Sequence, residues 1–318
     1  MKKAFTELLG LHAVWLNCFG HNLNLAIGKA LKLNRIETAV RACWQIVQGF
    51  NRSWKRRREL IKKQPDLNVP QHTLIHDVVT RWGSTYSMVS QFIEQQQAVF
   101  AALACDRSTW HLMPRDTNIA TLEDVCKGLG MLNTFTDSLA AESYVTISAL
   151  KPILHHLTND LLTEETNDSE LAKHMKAAIK DDLIARYSTD NIKKLIDIAC
   201  FLDPRFKDSF SENVEDITAI TANEAVVTAT VKLSQQEVPT GTENAAQGST
   251  GEGSAPGSLC QLLQNITTKQ QQLQRNCAEV DDSNETRARS EVSRYLALPQ
   301  ITAEKDPLMW WNTHAADL

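Results

Sequence analysis

The chain has 318 residues, 42% of them hydrophobic and 22% charged, with a formal net charge of −5. Such a length and balance suit one large or two ordinary globular domains and exclude a wholly disordered chain. The negative total excludes a generic cationic coat for nucleic acid, so any such role must rest on a local patch.

Seven scattered cysteines, Cys18, Cys43, Cys105, Cys126, Cys200, Cys260 and Cys277, include no C-x-x-C pair. An odd, unpatterned set predicts reduced thiols and an intracellular chain. Cys43, Cys126 and Cys200 stand among apolar residues and are expected to pack as small hydrophobes. After Met1-Lys2-Lys3, Glu7 and His12 interrupt the apolar run a signal peptide would need. No stretch approaches the ~20 apolar residues of a membrane span, so no membrane partner is expected.

Ala13 to Leu16 is β-prone and predicts one buried strand. Leu23, Ala26, Ile27, Ala30 and Leu31 then keep the spacing of one helical face, as do Ile36, Ala39, Val40, Cys43, Val47 and Phe50. Further helices are expected on the stripes Leu122–Leu132, Leu150–Leu161 and Leu171–Leu183. In the second of these, Ser148 as N-cap would put Pro152 in the first turn, where its missing N–H costs little. Ile192 to Leu202 is expected to be helical and to stop at Asp203-Pro204. Residues 212–257 are rich in Gly, Ser, Thr and Ala and carry seven carboxylates against Lys232, which predicts a disordered acidic linker. Ordering can persist into it, because 217–231 is Ala- and Val-rich. Short helices are expected at Leu259–Ile266 and Glu291–Leu296.

Three clusters bear on chemistry. Cys18-Phe-Gly-His21 has C-x-x-H spacing, and His72 with His76 would complete a four-ligand zinc set; the intervening 50 residues favour a partly buried Cys and His packing at a strand–helix junction. Between Asn51 and Lys63, Arg52, Lys55, Arg56, Arg57, Arg58, Lys62 and Lys63 face only Glu59, with Trp44 and Trp54 nearby. Such a run is either a solvated helix face or a phosphate-binding surface readable by nuclear import. Arg81-Trp82 is either a phosphate clamp beside a stacking ring or a loop whose Trp anchors the helix carrying Val89, Phe92, Ile93, Phe100 and Leu103. Asp203-Pro-Arg-Phe-Lys207 reads as a helix-ending turn with Phe206 in the core, the alternative being an acidic corner of an active site. No nucleophile elbow, P-loop, dinucleotide fingerprint or H-E-x-x-H is present.

Taken together the blocks resemble a known order. Cys18-Phe-Gly-His21-Asn-Leu-Asn-Leu25, Asp77-Val-Val-Thr-Arg-Trp-Gly-Ser-Thr-Tyr86, Leu183-Ile-Ala-Arg-Tyr187 with Phe201-Leu-Asp-Pro-Arg-Phe-Lys207, and Glu291-Val-Ser-Arg-Tyr-Leu296 with Asp306-Pro-Leu-Met-Trp-Trp311 are similar to the blocks of hAT-family DNA transposases and their domesticated descendants. Phe50-Asn-Arg-Ser-Trp-Lys-Arg-Arg-Arg58 and Thr136-Asp-Ser-Leu-Ala-Ala-Glu142 look most like the zinc finger BED domain-containing proteins. The resemblance implies a mainly α fold: a partial RNase H-like α/β domain interrupted by a large helical insertion. The implied divisions are 1–35 (RNase H-like strand and helix), 36–211 (helical insertion), 212–257 (linker) and 258–318 (start of a dimerisation region).

It also implies a nuclear, DNA- or chromatin-associated protein involved in transcription regulation, with a homodimer in a longer form and no small-molecule substrate. Arg81, Trp82 and His21 would face DNA beside Lys55, Arg56, Arg57 and Arg58. The family's catalytic Asp, Asp and Glu, which hold divalent metal, are expected to align outside this chain, as is the zinc of the BED finger. No catalysis and no cofactor are therefore expected here. The alternatives are an interaction scaffold working by self-association, or a piece of an active transposase.

Overall fold

A computed structural model describes residues 16–78, 80–140, 146–222 and 284–314. In chain order the helices are α1 (Phe19–Ala30), α2 (Asn34–Asn51), α3 (Trp54–Asp66), α4 (Trp82–Ala104), α5 (Asp116–Ala140), α6 (Leu150–His156), α7 (Glu170–Arg186), α8 (Asp190–Phe201), α9 (Asn284–Ala297) and α10 (Pro307–His314). Residues 214–222 are also helical. Among the described residues there is no strand: Leu16 has no regular structure, and 13–15 lie outside them. The expected α/β portion is thus not seen, and the fold is mainly α. No helix among these residues is long and apolar enough to cross a membrane.

The chain divides into two compact units, one comprising 1–137 with 157–188, the other 138–156 with 189–318. In the first unit the predicted stripes are the buried ones. Leu23, Ala26, Ile27 and Ala30 turn α1 onto α7, while Ala39, Cys43, Ile46, Val47 and Phe50 of α2 meet Met88, Val89, Phe92, Val99 and Leu103 of α4. Each fully buried side chain of this size stabilises the fold by roughly 1.5–3 kcal/mol relative to exposure. Burial pushes the Cys43 thiol well up, the behaviour of a packed hydrophobe rather than a nucleophile. The Met175 methyl of α7 lies against Gly128 of α5, so near that a side chain there would displace it.

The start of α7 is capped by Ser169, whose Oγ accepts from the Ala172 N–H (3.1 Å) and donates to Asp124 (2.6 Å). One turn on, buried Lys176 donates to Asp168 at 2.7 Å and to the Thr163 carbonyl at 3.0 Å. Leu157–Leu161 winds as a π-helical turn, closed by a bond from the Leu162 N–H to the Leu157 carbonyl.

In the second unit α8 ends where Asp203-Pro204 predicts. Asp203 is buried, and both its oxygens are taken: Ser148 Oγ donates to Oδ2 (2.6 Å), and Arg205 donates through Nε and Nη2. This corrects the expectation that Ser148 caps α6. It sits in a short 3₁₀ turn, Ile147–Ala149, and its hydroxyl serves the Asp203 corner; Pro152 still falls in the first turn of α6. Phe206 is fully buried, as the turn reading requires.

Lys207 adopts a left-handed φ of 48°, and its ammonium donates to the carbonyls of Tyr295 and Leu298. Tyr295 in turn donates to the Phe201 carbonyl (3.0 Å) and stacks on Trp311, whose indole N–H reaches the Leu202 carbonyl (2.9 Å). The turn after α8 and the α9–α10 segment are thereby fastened together. The helical alternative for the Ala- and Val-rich start of that stretch agrees with its described part, since 214–222 is helical with Ile217 and Ala222 buried. The remaining linker residues and the expected helix at Leu259–Ile266 lie outside the described residues.

Candidate nucleic-acid interface

Helix α3 is fixed at both ends by its own sequence. Ser53 is the N-cap, its side chain accepting from the Arg56 N–H. At the other end Asn68 takes a left-handed φ of 54°, and the N–H groups of Val69 and Asn68 bond the carbonyls of Gln64 and Pro65. That is a Schellman termination, with Asn in the place usually held by glycine. Between these ends Leu60 and Gln64 face inward and the cations face out.

The seven cations are not equivalent. The Arg56 guanidinium folds back and donates to the Gly49 carbonyl at 3.1 Å. It passes so near Gly49 that a Cβ there would come within 2.9 Å of it. Lys62 pairs with Glu59 at 2.7 Å, and that bond holds the Glu59 carboxyl below its ordinary range. Lys55, Arg57 and Arg58 are exposed and make no ion pair among the described residues. Three cations, Lys55, Arg56 and Arg57, stand in the first turn of α3, which has no acidic residue. Helix N-termini carry a partial positive charge, so cations there are unfavourable by roughly 0.3–1 kcal/mol each, and an anion is favoured. The local rule is broken in the direction that suits a phosphate ligand.

Beside this face runs a groove that the sequence did not announce. Buried Gln64 donates through its amide to the His72 carbonyl (2.7 Å) and to the Gln95 side chain (2.8 Å), and Gln95 donates to the Pro70 carbonyl (2.9 Å). Asn51 adds a bond to the Leu74 carbonyl (3.2 Å). These amides hold the extended residues 70–74 as a wall facing α3. Phe50, Leu60 and Leu74 form the floor, with Trp54, Arg57, Arg58 and Ile61 along the rim and a cavity volume of about 470 Å³. Trp54 is 67% exposed, with the Arg58 guanidinium 5.3 Å from its ring centre. Trp44 instead packs against the core and edge-on to His76.

The other expected DNA-facing residues are dispersed. Arg81 is exposed at the N-cap of α4, but Trp82 is only 8% exposed and its backbone N–H donates to Asn24 at 3.2 Å. Its side chain is part of the packing, which agrees with the anchoring alternative. Around it, Asp77 accepts from Ser84 (2.7 Å) and Thr85 (3.0 Å), and Asn22 donates to the Tyr187 hydroxyl (2.8 Å). Three separate blocks of the sequence thus meet in one hydrogen-bonded hub. His21 and Cys18 are exposed at the start of α1. His72 bonds Glu94 at 2.8 Å, and no group of three His, Cys, Asp or Glu is gathered for a metal ion among the described residues. The four-ligand zinc set weighed from spacing is therefore not assembled.

A mainly helical chain whose Asp77–Trp82 block is tied to α1 through Asn24, with Trp82 buried, matches a known domain type. Residues 16–128 fit the model of the ZBED1 RNase-like helical domain. The chain is also 24% identical over 313 residues to the human zinc finger BED domain-containing protein 4, covering 94% of this chain and 24% of that protein. Together these findings support a BED-type protein of hAT transposase descent. The chain spans about a quarter of the length of the curated relative it matches.

Proposed function

We propose that this chain is a domesticated, non-catalytic hAT-type protein that associates with DNA or chromatin in the nucleus through the exposed cations of α3 and takes part in transcription regulation. The observation that carries this is the first turn of α3, where Lys55, Arg56 and Arg57 stand at the positive end of a helix whose own first turn has no carboxylate, Asp106 being the acid that acts on Lys55 and Arg56 from outside it. Phosphates would relieve that repulsion and release counterions on binding. Arg81 and His21, both exposed, are proposed as secondary contacts, and the segment 1–35 as part of an RNase H-like domain in a longer protein.

The test is duplex DNA binding by the purified chain at two salt concentrations, beside Lys55→Gln/Arg57→Gln/Arg58→Gln. Arg56 is left intact because it holds the α2–α3 turn. Salt-sensitive binding that falls in the variant supports the reading; equal binding by both, or none by the folded chain at low salt, overturns it. A second reading, a self-association scaffold, is favoured by Leu308 and Met309 of α10, which are 76% and 64% exposed. A concentration-dependent sedimentation coefficient that Leu308→Glu/Met309→Glu abolishes would support it.

A further inference from the structure

Phosphate contacts explain the cations but not the groove. Trp54 is among the most exposed large apolar side chains described, although Phe50, Leu60 and Leu74 lie buried nearby. A solvated helix face has no use for an indole at its rim. The cavity of about 470 Å³ falls in the ~300–1,000 Å³ range typical of small-ligand sites. Its wall is set in place by the Gln64–Gln95 amides and by Asn51, so the cleft is formed before anything enters it. The carboxylates at hand are engaged, Glu59 by Lys62, Glu94 by His72 and Gln95, and Asp106, which acts on Lys55, by Ser108. The charge left at the rim is therefore positive, from Arg57 and Arg58.

We propose that this groove is a binding site for an unpaired nucleobase of single-stranded DNA, stacked against Trp54 and the Arg58 guanidinium, with its flanking phosphates on Lys55 and Arg57. An aromatic ring and a guanidinium plane offer π surfaces to any base, and single-strand binders combine such platforms with cationic tracks. A duplex keeps its bases stacked inside and can use only the cations. This site rests on the DNA-binding reading above and adds a preference for strand ends, bubbles or gaps.

The experiment compares a single-stranded oligonucleotide with a duplex of the same sequence, using the full chain, Trp54→Ala, Trp54→Phe and the triple Gln variant. One base stack is worth about a 5- to 150-fold loss on alanine substitution. The expected result is a loss of that size for single strands in Trp54→Ala, a smaller one in Trp54→Phe, and unchanged duplex affinity in both. An oligonucleotide carrying one 5-iodouridine should photo-crosslink to the peptide containing Trp54. If the duplex binds and responds to the triple variant while Trp54→Ala affects neither substrate, the base site is overturned and the DNA reading survives. If neither nucleic acid binds the folded wild type, the DNA reading falls with it. An acidic amphipathic peptide that binds the chain, loses affinity in Trp54→Ala and displaces no oligonucleotide would overturn the base site in favour of a protein partner.

Discussion

Two tryptophans of the first unit stand beside arginines, and their surroundings are opposite. Trp82 is 8% exposed, opens a 23-residue helix and is tied through its backbone to Asn24. Trp54 is 67% exposed and opens a 13-residue helix whose first turn is cationic. The difference lies in what each local segment can bury. The stretch after Trp82 carries Met88, Val89, Phe92, Val99 and Leu103, a deep apolar stripe that draws the ring inward. The stretch after Trp54 offers only Leu60 and Gln64 to the interior, so its ring stays at the edge. The same two residue types make architecture in one place and an exposed surface in the other.

That contrast can be broken at its strongest point first. Trp82→Ala should lower the unfolding free energy by about 3–5 kcal/mol, measured by urea denaturation, whereas Trp54→Ala should change it by less than about 1 kcal/mol. Comparable losses at both positions would erase the distinction. Asp77→Ala removes the acceptor for Ser84 and Thr85 and should cost about 1.5–3 kcal/mol, with the DNA affinity of the folded fraction unchanged. On the other side, the triple Gln variant should not lower the unfolding midpoint and should raise it slightly, because it takes Lys55 and Arg57 away from the positive end of α3. It should also flatten the salt dependence of DNA affinity, by about 0.9 in log–log slope for each phosphate it no longer neutralises. Arg56→Ala tests the line between the two regions: a loss of about 1 kcal/mol in stability with little change in affinity would confirm that one cation in the cluster is structural.

The second unit supplies a smaller effect with a definite sign. Burial pushes the Lys207 ammonium down to about 8, from about 10.4 in an unfolded chain. Below the lower value both states hold the proton. Between the two the unfolded chain binds more protons, so stability should rise with pH across that window. Lys207→Met should lack this rise when chemical unfolding midpoints are compared at about pH 7.5 and 9.5. A wild type as flat as the variant would show that the carbonyls and aromatic rings around Lys207 offset its burial.

The helices were legible because a 3.6-residue period records which face is buried, and the stripes on α1, α2, α5 and α7 are the buried ones. The stop at Asp203-Pro204 and the cationic surface of α3 were equally visible. What escaped was set by pairings that no period records. Gln64 meets Gln95 across 31 positions, and Ser148 meets Asp203 across 55. Nothing local distinguishes these polar residues from ones facing solvent. The groove beside α3 depends on such an amide pair, so the sequence showed its charges and its tryptophan but not the wall opposite them.

The fastening at Lys207 has a consequence for how the chain can be divided. Residues 206–209 are joined to 295–300 by hydrogen bonds from Lys207 and Gln300, and Tyr295 and Trp311 reach back to Phe201 and Leu202. The covalent path between these parts runs through 223–283, and these hydrogen bonds join described residues on either side of it. Closing a longer connection costs entropy only logarithmically, about 0.6 kcal/mol per doubling. A longer connection there should therefore cost the grip little in chain entropy. A chain severed there should travel as a single particle under native conditions, and the two pieces, produced separately, should reassemble as a split protein.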